Sequence, residues 1–176
     1  GTMLGYYKAP ELTAEMMTDD GFLRTGDRGE VDELGRLKLT GRVKELFKTS
    51  KGKYVAPAPI ENKLMQHGDV EQACVTGHGM PQPFALVVLS PDARARAKTD
   101  EGKKEVEAAL AAHCKAVNAE LDPHEALEFI AASASEWTIE SGLLTPTMKL
   151  KRSAIEKKYG PSVEAWYASK KPLVWA

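Results

Sequence analysis

The segment that most constrains the fold is Glu101–Leu121, whose larger apolar residues lie along one side. These residues recur every three or four positions, as they do along one face of an α-helix: Val106, Leu110, Cys114, Val117 and Leu121. A helix with one apolar stripe must bury that stripe against another apolar element. Three short β-rich runs can provide it: Val70–Thr76, Phe84–Ser90 and Leu127–Ala132. We therefore predict an α/β (α+β) fold, in which a short mixed sheet is flanked by helices.

The first forty residues predict a short helix followed by a β-hairpin. The helix is expected over Glu11–Met17, with Thr13 as its N-cap. The runs Gly29–Asp32 and Arg36–Thr40 have the length of short strands, and Gly35 closes the turn between them. Both elements would need to pack on structure outside this chain.

The later segments predict further helices joined by loops. Val43–Phe47 is expected to be extended, and Pro59–Gly68 to be helical because proline suits a first helical turn. Gly142–Lys151 is expected to be a loop or an extended segment. A helix over Ala154–Tyr159 should stop at the Gly-Pro pair that follows, and Ser162–Tyr167 should form a separate helical turn.

Composition excludes several classes of protein. The 176 residues include 24 Lys and Arg against 25 Asp and Glu, and the net charge of -1 argues against a strongly basic nucleic-acid binder. No apolar run approaches the roughly 20 residues that span a membrane. Cys74 and Cys114 form neither a disulfide framework nor a Cys/His metal cluster. We therefore predict no metal site and a reducing, cytoplasmic compartment. A start at Gly1 without an initiator Met suggests a fragment.

The turn Thr25-Gly26-Asp27 is the first candidate site. The carboxylate of Asp27 can accept two hydrogen bonds, which matches the neighbouring hydroxyls of a ribose. The same tripeptide also suits an Asx-turn that binds nothing. The residues alone leave both interpretations open.

The second candidate site is the basic stretch between Arg42 and Lys53, where the only acid is Glu45. Its cations are Arg42, Lys44, Lys48, Lys51 and Lys53. Gly52 lets the backbone approach a ligand closely, so a phosphate-bearing partner fits this stretch. A solvated strand edge protected by lysines fits equally well.

The third candidate site lies in Leu144–Arg152. Pro146 keeps this segment extended and excludes a helix there. Lys149, Lys151 and Arg152 are therefore expected to project from a loop just before a helix. A lysine on such a loop suits a developing negative charge, although an exposed basic turn without a role has the same composition.

Taken together and in this order, the motifs resemble the C-terminal part of adenylate-forming enzymes. This superfamily includes acyl-CoA synthetases, firefly luciferase and peptide-synthetase adenylation domains. Gly21–Asp27 resembles the end of the large N-terminal domain, and Gly41–Glu45 resembles the hinge motif. Gly52–Pro57 followed by Ile60-Glu61 resembles the next stretch of the small domain. The resemblance covers nearly the whole chain.

Two further stretches look like long-chain fatty-acyl-CoA synthetases: Glu136–Thr138 and Leu143–Arg152. Most other members of the superfamily have Gly directly before the catalytic lysine. Here Met148 occupies that place, as is usual in the long-chain group. Ser141 departs from the Asn that this group often has, and the departure leaves the catalytic lysine untouched.

The resemblance implies a role for each matching residue. Lys149 would be the catalytic lysine, Asp27 and Arg42 would bind the ribose, and Lys44 would be the hinge. The CoA-side loop would consist of Lys48, Lys51, Gly52 and Lys53. Residues 1–41 would then be the end of the large AMP-binding domain. Residues 42–176 would comprise the hinge and the small mobile domain, which carries Lys149 on one face and the Gly52 loop on another.

The implied reaction has two steps. A fatty acid and Mg-ATP form acyl-adenylate and pyrophosphate, and the CoA thiol then displaces AMP. The implied ligands are fatty acid, ATP, Mg²⁺ and CoA. The phosphate loop, the adenine-binding segment, the Mg²⁺ ligands and the acyl tunnel would belong to the missing N-terminal domain of the same polypeptide. The resemblance thus implies a cytoplasmic ligase, free or peripheral at a membrane, of which this part alone is inactive.

Two alternatives stay open at this point. The first is the tail of another acyl- or aryl-CoA ligase, because the acyl pocket would lie outside this chain. The second is a stand-alone module that binds nucleotide or CoA or docks a partner, because the chain has enough apolar residues to fold by itself.

Overall fold

The computed structural model describes residues 3–176. The chain forms two compact units, and the division falls between Glu45 and Leu46. The boundary expected from the sequence, between residues 41 and 42, lies slightly earlier in the chain.

The N-terminal unit contains one helix and one hairpin. Its elements are α1 (Pro10–Met16), β1 (Asp27–Val31), β2 (Leu37–Arg42) and a 3-10 helix (Val43–Glu45). Strands β1 and β2 pair antiparallel, which confirms the hairpin. Gly35 in the connecting turn has a φ of +75°, which is a conformation that glycine adopts readily.

The predicted N-cap of α1 is wrong. The residue before the helix is Ala9, and Thr13 lies inside the helix. Thr13 Oγ1 accepts a hydrogen bond from the backbone N–H of Tyr6 and donates one to the carbonyl of Ala9, both at 2.9 Å. Pro10 sets the earlier start because its missing N–H needs no acceptor in the first turn.

The prediction of extended chain over Val43–Phe47 is also wrong in its first part. The backbone N–H of Val43 donates to the carbonyl of Gly26 at 2.9 Å and closes the hairpin. Val43–Glu45 form the 3-10 helix. Only Phe47, at the end of the segment, lies in a strand.

The C-terminal unit contains the predicted mixed sheet and its helices. In chain order its elements are β3 (Phe47–Lys48), β4 (Tyr54–Val55), α2 (Pro57–Leu64), β5 (Val70–Thr76), β6 (Phe84–Leu89), α3 (Pro91–Arg96), α4 (Asp100–Asn118), β7 (Ile130–Ser133), α5 (Arg152–Ser169) and β8 (Leu173–Trp175). Helix α3 and strands β4 and β8 have no counterpart in the sequence prediction. The other elements follow the predicted order, β5 with its predicted bounds and the rest with shifted bounds.

Four strands form the central sheet in the order β5-β6-β7-β8. β5 and β6 are antiparallel, whereas β6–β7 and β7–β8 are parallel. Helices α2 and α4 cover one face of the sheet, and α5 covers the other. Every residue of β6 is buried, as expected for a strand with both faces covered. The apolar stripe of the long α4 helix is buried, in agreement with the sequence prediction.

The predicted break at Gly160-Pro161 does not occur, and α5 continues through Pro161. A proline inside a helix removes one hydrogen bond and crowds the preceding residue. Gly160 eases this crowding because it has no Cβ. Tyr159 and Trp166, about two helical turns apart, are both buried in the core under the same sheet face. Continuous helix keeps both rings packed, and this burial outweighs the local cost of the proline.

Replacing the exposed Pro161 by Ala is expected to raise the free energy of unfolding by about 1–3 kcal/mol, because it restores the helical hydrogen bond. Urea denaturation of the 176-residue chain measures this change. Pro91→Ala is the matched control, since Pro91 begins α3, where proline is tolerated, and the midpoint should hardly move. A lower midpoint for Pro161→Ala would contradict this account of α5.

Candidate functional site

Asp27 and Arg42 meet at the open end of the hairpin. Asp27 begins β1, Arg42 ends β2, and the strand register pairs them. Arg42 Nε lies 3.2 Å from Asp27 Oδ1. The Asp27 side chain is 28% exposed, so its carboxylate remains accessible and has free acceptor capacity for hydroxyl donors. The structure therefore brings together the two residues that the resemblance assigned to the ribose.

Lys44 lies at the centre of the 3-10 helix and is exposed. The division between the two compact units comes two residues later. Hinges are usually a few residues in loops or at the ends of elements, and this 3-10 helix ends where the first compact unit ends. The location of Lys44 is consistent with the hinge role, which stays a prediction.

The turn that presents Lys149 is held by its own backbone. Thr145 N–H donates to the carbonyl of Lys149 at 2.8 Å, and Lys149 N–H donates to Thr145 Oγ1 at 3.0 Å. Met148 N–H donates to the carbonyl of Thr145 at 2.9 Å. Met148 has a φ of +60°, which costs a non-glycine residue about 1–2 kcal/mol. Glycine adopts this left-handed conformation at little cost, which is a physical reason why most adenylate-forming enzymes would have Gly at the position of Met148.

The base of this turn is anchored in the core. Leu144 and Leu150 form an isolated antiparallel bridge, and Leu143 and Leu144 are buried. Lys151 N–H donates to the carbonyl of Leu143 at 2.8 Å. Lys149 itself is exposed. Within residues 3–176, its ammonium has neither a hydrogen bond nor an ion pair, so it is available to an anionic ligand.

Arg152 corrects the expectation that three basic side chains project from this loop. It is the first residue of α5, and it makes a two-pronged ion pair with Glu61 of α2. Nη1 donates to Oε1 and Nη2 to Oε2, both at 2.6 Å. Glu61 is buried and also accepts a hydrogen bond from Val75 N–H at 2.7 Å. Arg152 therefore fixes the start of α5 and has a structural role.

The predicted CoA-side loop is a tight hairpin between β3 and β4. Buried Thr49 organises it, since its N–H donates to the carbonyl of Lys53 at 2.9 Å and its carbonyl accepts from Gly52 N–H at 3.0 Å. Gly52 has a φ of +78°, so the turn requires glycine. Lys48, Lys51 and Lys53 are exposed around this turn. The structure therefore gathers the predicted loop residues into one basic surface.

Metal-ligating side chains and cysteine thiols are further candidates for a functional site. Residues 3–176 include no group of three His, Cys, Asp or Glu side chains that could hold a metal ion. Cys74 and Cys114 are buried free thiols. Burial raises the pKa of Cys74 to about 12 and that of Cys114 to about 11, so neither supplies a thiolate near neutral pH. No helix within residues 3–176 is both long enough and apolar enough to cross a membrane.

Comparison with known proteins decides the family. A family model described as the AMP-binding enzyme C-terminal domain matches residues 45–171. The chain belongs to this family. It is 35% identical to long-chain-fatty-acid–CoA ligase FadD15 of Mycobacterium tuberculosis over 93% of this chain and 29% of that protein. It is 33% identical to human long-chain-fatty-acid–CoA ligase 1 over 94% of this chain and 26% of that protein.

Solved structures show the same fold. The adenylation domain of a carboxylate reductase from Mycobacterium chelonae superposes with a TM-score of 0.78 at 32% identity, over 94% of this chain and 26% of that one. The A-PCP didomain of a carboxylic acid reductase from Segniliparus rugosus, solved with AMP, gives a TM-score of 0.76 at 31% identity, over 94% of this chain and 23% of that one. The chain thus spans less than a third of the length of these relatives.

Sequence reasoning missed two residues that organise the site. Glu61 is an acidic residue within the apolar pattern of α2, and a charge that is buried in such a helix needs a partner of opposite charge. Gln82 accepts a hydrogen bond from Lys51 Nζ at 3.4 Å and donates from Nε2 to the carbonyl of Pro123 at 2.9 Å. No pattern in the sequence pairs residues so far apart.

Proposed function

We propose that this chain is the C-terminal part of an AMP-forming long-chain fatty acid:CoA ligase. It would supply the hinge, the catalytic lysine and the CoA-side loop. The observation that carries the proposal is Lys149, whose unpaired ammonium stands on a turn anchored in the core. The long-chain fatty acid substrate is inferred from the names of the curated relatives.

Lys149 would act in the first half-reaction. When a fatty acid carboxylate attacks the α-phosphate of ATP, negative charge builds on the α-phosphate oxygens as pyrophosphate leaves. A lysine ammonium held in place opposes that charge without reorganising. In the second half-reaction, the CoA thiol attacks the acyl carbonyl, and AMP departs. The exposed lysines of the Gly52 loop would then face CoA.

Asp27 and Arg42 would bind the nucleotide in both steps. The free acceptor capacity of Asp27 suits the two ribose hydroxyls, and the paired Arg42 orients the carboxylate. Residues 3–176 include no group of three His, Cys, Asp or Glu side chains that could hold a metal ion, and the ligands of Mg²⁺ would come from the N-terminal domain. Rotation about Lys44 would exchange the Lys149 face for the Gly52 face between the steps.

The rest of the ligase would lie N-terminal to these residues. Residues 1–41 would be the end of the large AMP-binding domain. The apolar side chains of the hairpin, Val31, Leu37 and Leu39, remain exposed within residues 3–176, as expected for a surface that packs on that domain. Two free thiols support a cytoplasmic location.

The test compares the 176-residue chain with the full-length protein that contains it. Pyrophosphate release is measured with ATP and a long-chain fatty acid, first without CoA and then with it. We expect the full-length protein to form acyl-adenylate and acyl-CoA, and the short chain to form neither. Fatty-acid-dependent release by the short chain, above a heat-inactivated control, would contradict the division of labour proposed here.

A second candidate, an adenylation domain that transfers its acyl group to a carrier protein, is favoured by the likeness to carboxylic acid reductases. The acyl acceptor separates the two. Thioester formation on CoA alone supports the ligase. Thioester formation that requires a phosphopantetheinylated carrier domain supports the second candidate.

A further inference from the structure

The loop between β5 and β6 is joined to the Gly52 loop by its backbone. Gly79 N–H donates to the carbonyl of Lys48 at 2.9 Å, and Ser50 N–H donates to the carbonyl of Met80 at 2.9 Å. The two loops therefore form one continuous surface. His78 lies between these bonded residues and is exposed.

This second loop is held in one conformation. Gly77 has a φ of +138°, and a Cβ there would meet Pro83 Cα at 2.9 Å, so only glycine fits. Lys51 Nζ lies 3.4 Å from Gln82 Oε1, and the same amide donates from Nε2 to the carbonyl of Pro123 at 2.9 Å. The chain of bonds from Lys51 to Pro123 ties both loops to the body of the unit.

The two joined loops carry basic residues and no acidic residue of their own. Residues 46–53 and 77–82 contain three lysines and one histidine but no Asp or Glu. Lys48, Lys51, Lys53 and His78 are all exposed. Clustered ammonium groups beside an imidazole donor and a glycine turn suit a ligand with several phosphate oxygens.

We infer that His78 and the loop Gly77–Met80 form the second wall of a site for the phosphates of CoA. This inference rests on the proposed function. The lysines would attract the diphosphate and the 3′-phosphate, and His78 would donate a hydrogen bond to one of these phosphates. His78 is thus a binding residue for the second half-reaction, and it takes no part in the first.

The test uses the full-length ligase and the variant His78→Ala. Losing one hydrogen bond to a charged phosphate on an exposed surface should raise KM for CoA by about 5- to 20-fold. We expect kcat and the CoA-independent release of pyrophosphate to stay unchanged. His78→Gln, which keeps a donor, should recover part of the affinity. His124→Ala is the matched control, and it should leave KM for CoA unchanged.

Dephospho-CoA identifies the phosphate that His78 contacts. If the effect of His78→Ala disappears with dephospho-CoA, the partner is the 3′-phosphate, and if it persists, the partner is the diphosphate. Either result supports the inference.

Three results would overturn the inference. The first is an unchanged KM for CoA in His78→Ala while Lys51→Ala raises it, which would leave His78 outside the site. The second is an equal rise in KM for ATP, which would assign the surface to the other nucleotide. The third is failure of the unmodified full-length enzyme to form acyl-adenylate. That third result alone overturns the proposed function as well.

Discussion

Replacing Lys149 by Ala in the proposed full-length ligase should lower the rate of acyl-adenylate formation by about 10²- to 10³-fold, the usual effect of removing one preorganised group that stabilises developing charge. The turn around Thr145 and Met148 holds this ammonium at a defined position, and no partner within residues 3–176 competes for it. Thioester formation from supplied acyl-adenylate should be nearly unaffected, because the proposed function assigns that step to the Gly52 loop. The two half-reactions are measured separately, by pyrophosphate release and by CoA consumption.

Two further variants control this experiment. Lys151→Ala removes a neighbouring exposed lysine of the same charge and should change neither half-reaction. Lys149→Arg keeps the charge but replaces a compact ammonium by a planar guanidinium, so it should recover activity only in part. An equal loss in both half-reactions for Lys149→Ala would assign this lysine a structural role instead.

Replacing Arg152 by Ala should lower the free energy of unfolding of the C-terminal unit by about 3–5 kcal/mol. The substitution leaves the Glu61 carboxylate buried with one partner, Val75 N–H, in place of three. A buried charge that loses its counterion is among the most destabilising changes in a protein. Urea denaturation followed by tryptophan fluorescence measures the loss.

A double variant distinguishes the contribution of the ion pair to stability from the contribution of the volume that the two side chains fill. Glu61→Met with Arg152→Met removes both charges and keeps apolar volume, so it should recover most of the stability lost in Arg152→Ala. Glu120→Gln is the surface control, because Glu120 pairs with Lys63 in solvent and its loss should not move the midpoint. If Arg152→Ala proved as mild as the surface control, the pair would not be what fixes the start of α5.

Much of the fold followed from periodicity. The alternating and continuous apolar runs predicted β5 with its observed bounds and β6 to within one residue. The one-sided stripe predicted α4, and the turn chemistry around Gly35 predicted the hairpin. The errors at Thr13 and at Gly160-Pro161 have different causes. At Thr13 a second local signal, Pro10, starts the helix earlier. At Gly160-Pro161 the buried rings of Tyr159 and Trp166 keep the helix continuous.

The residues of the candidate site were named from motifs, whereas their contacts were seen only in the structure. Ordered motifs named Asp27, Arg42, Lys44, Lys149 and the Gly52 loop, and their assigned roles stay predictions. The register of the hairpin pairs Asp27 with Arg42, which the motifs did not require. The same motifs placed Arg152 among the projecting cations, whereas the structure gives it a buried partner from α2.

The amino-acid sequence by itself determined the long helix α4, the strands β5 and β6 and which residues bear charge, because these depend on local spacing and on side-chain chemistry. Only the tertiary structure decided which residues pair at long range. The contact between Glu61 and Arg152 and the joining of the His78 loop to the Gly52 loop link residues that are distant in the chain. Such contacts arise when separate elements pack on one sheet, and spacing along the chain carries no record of them.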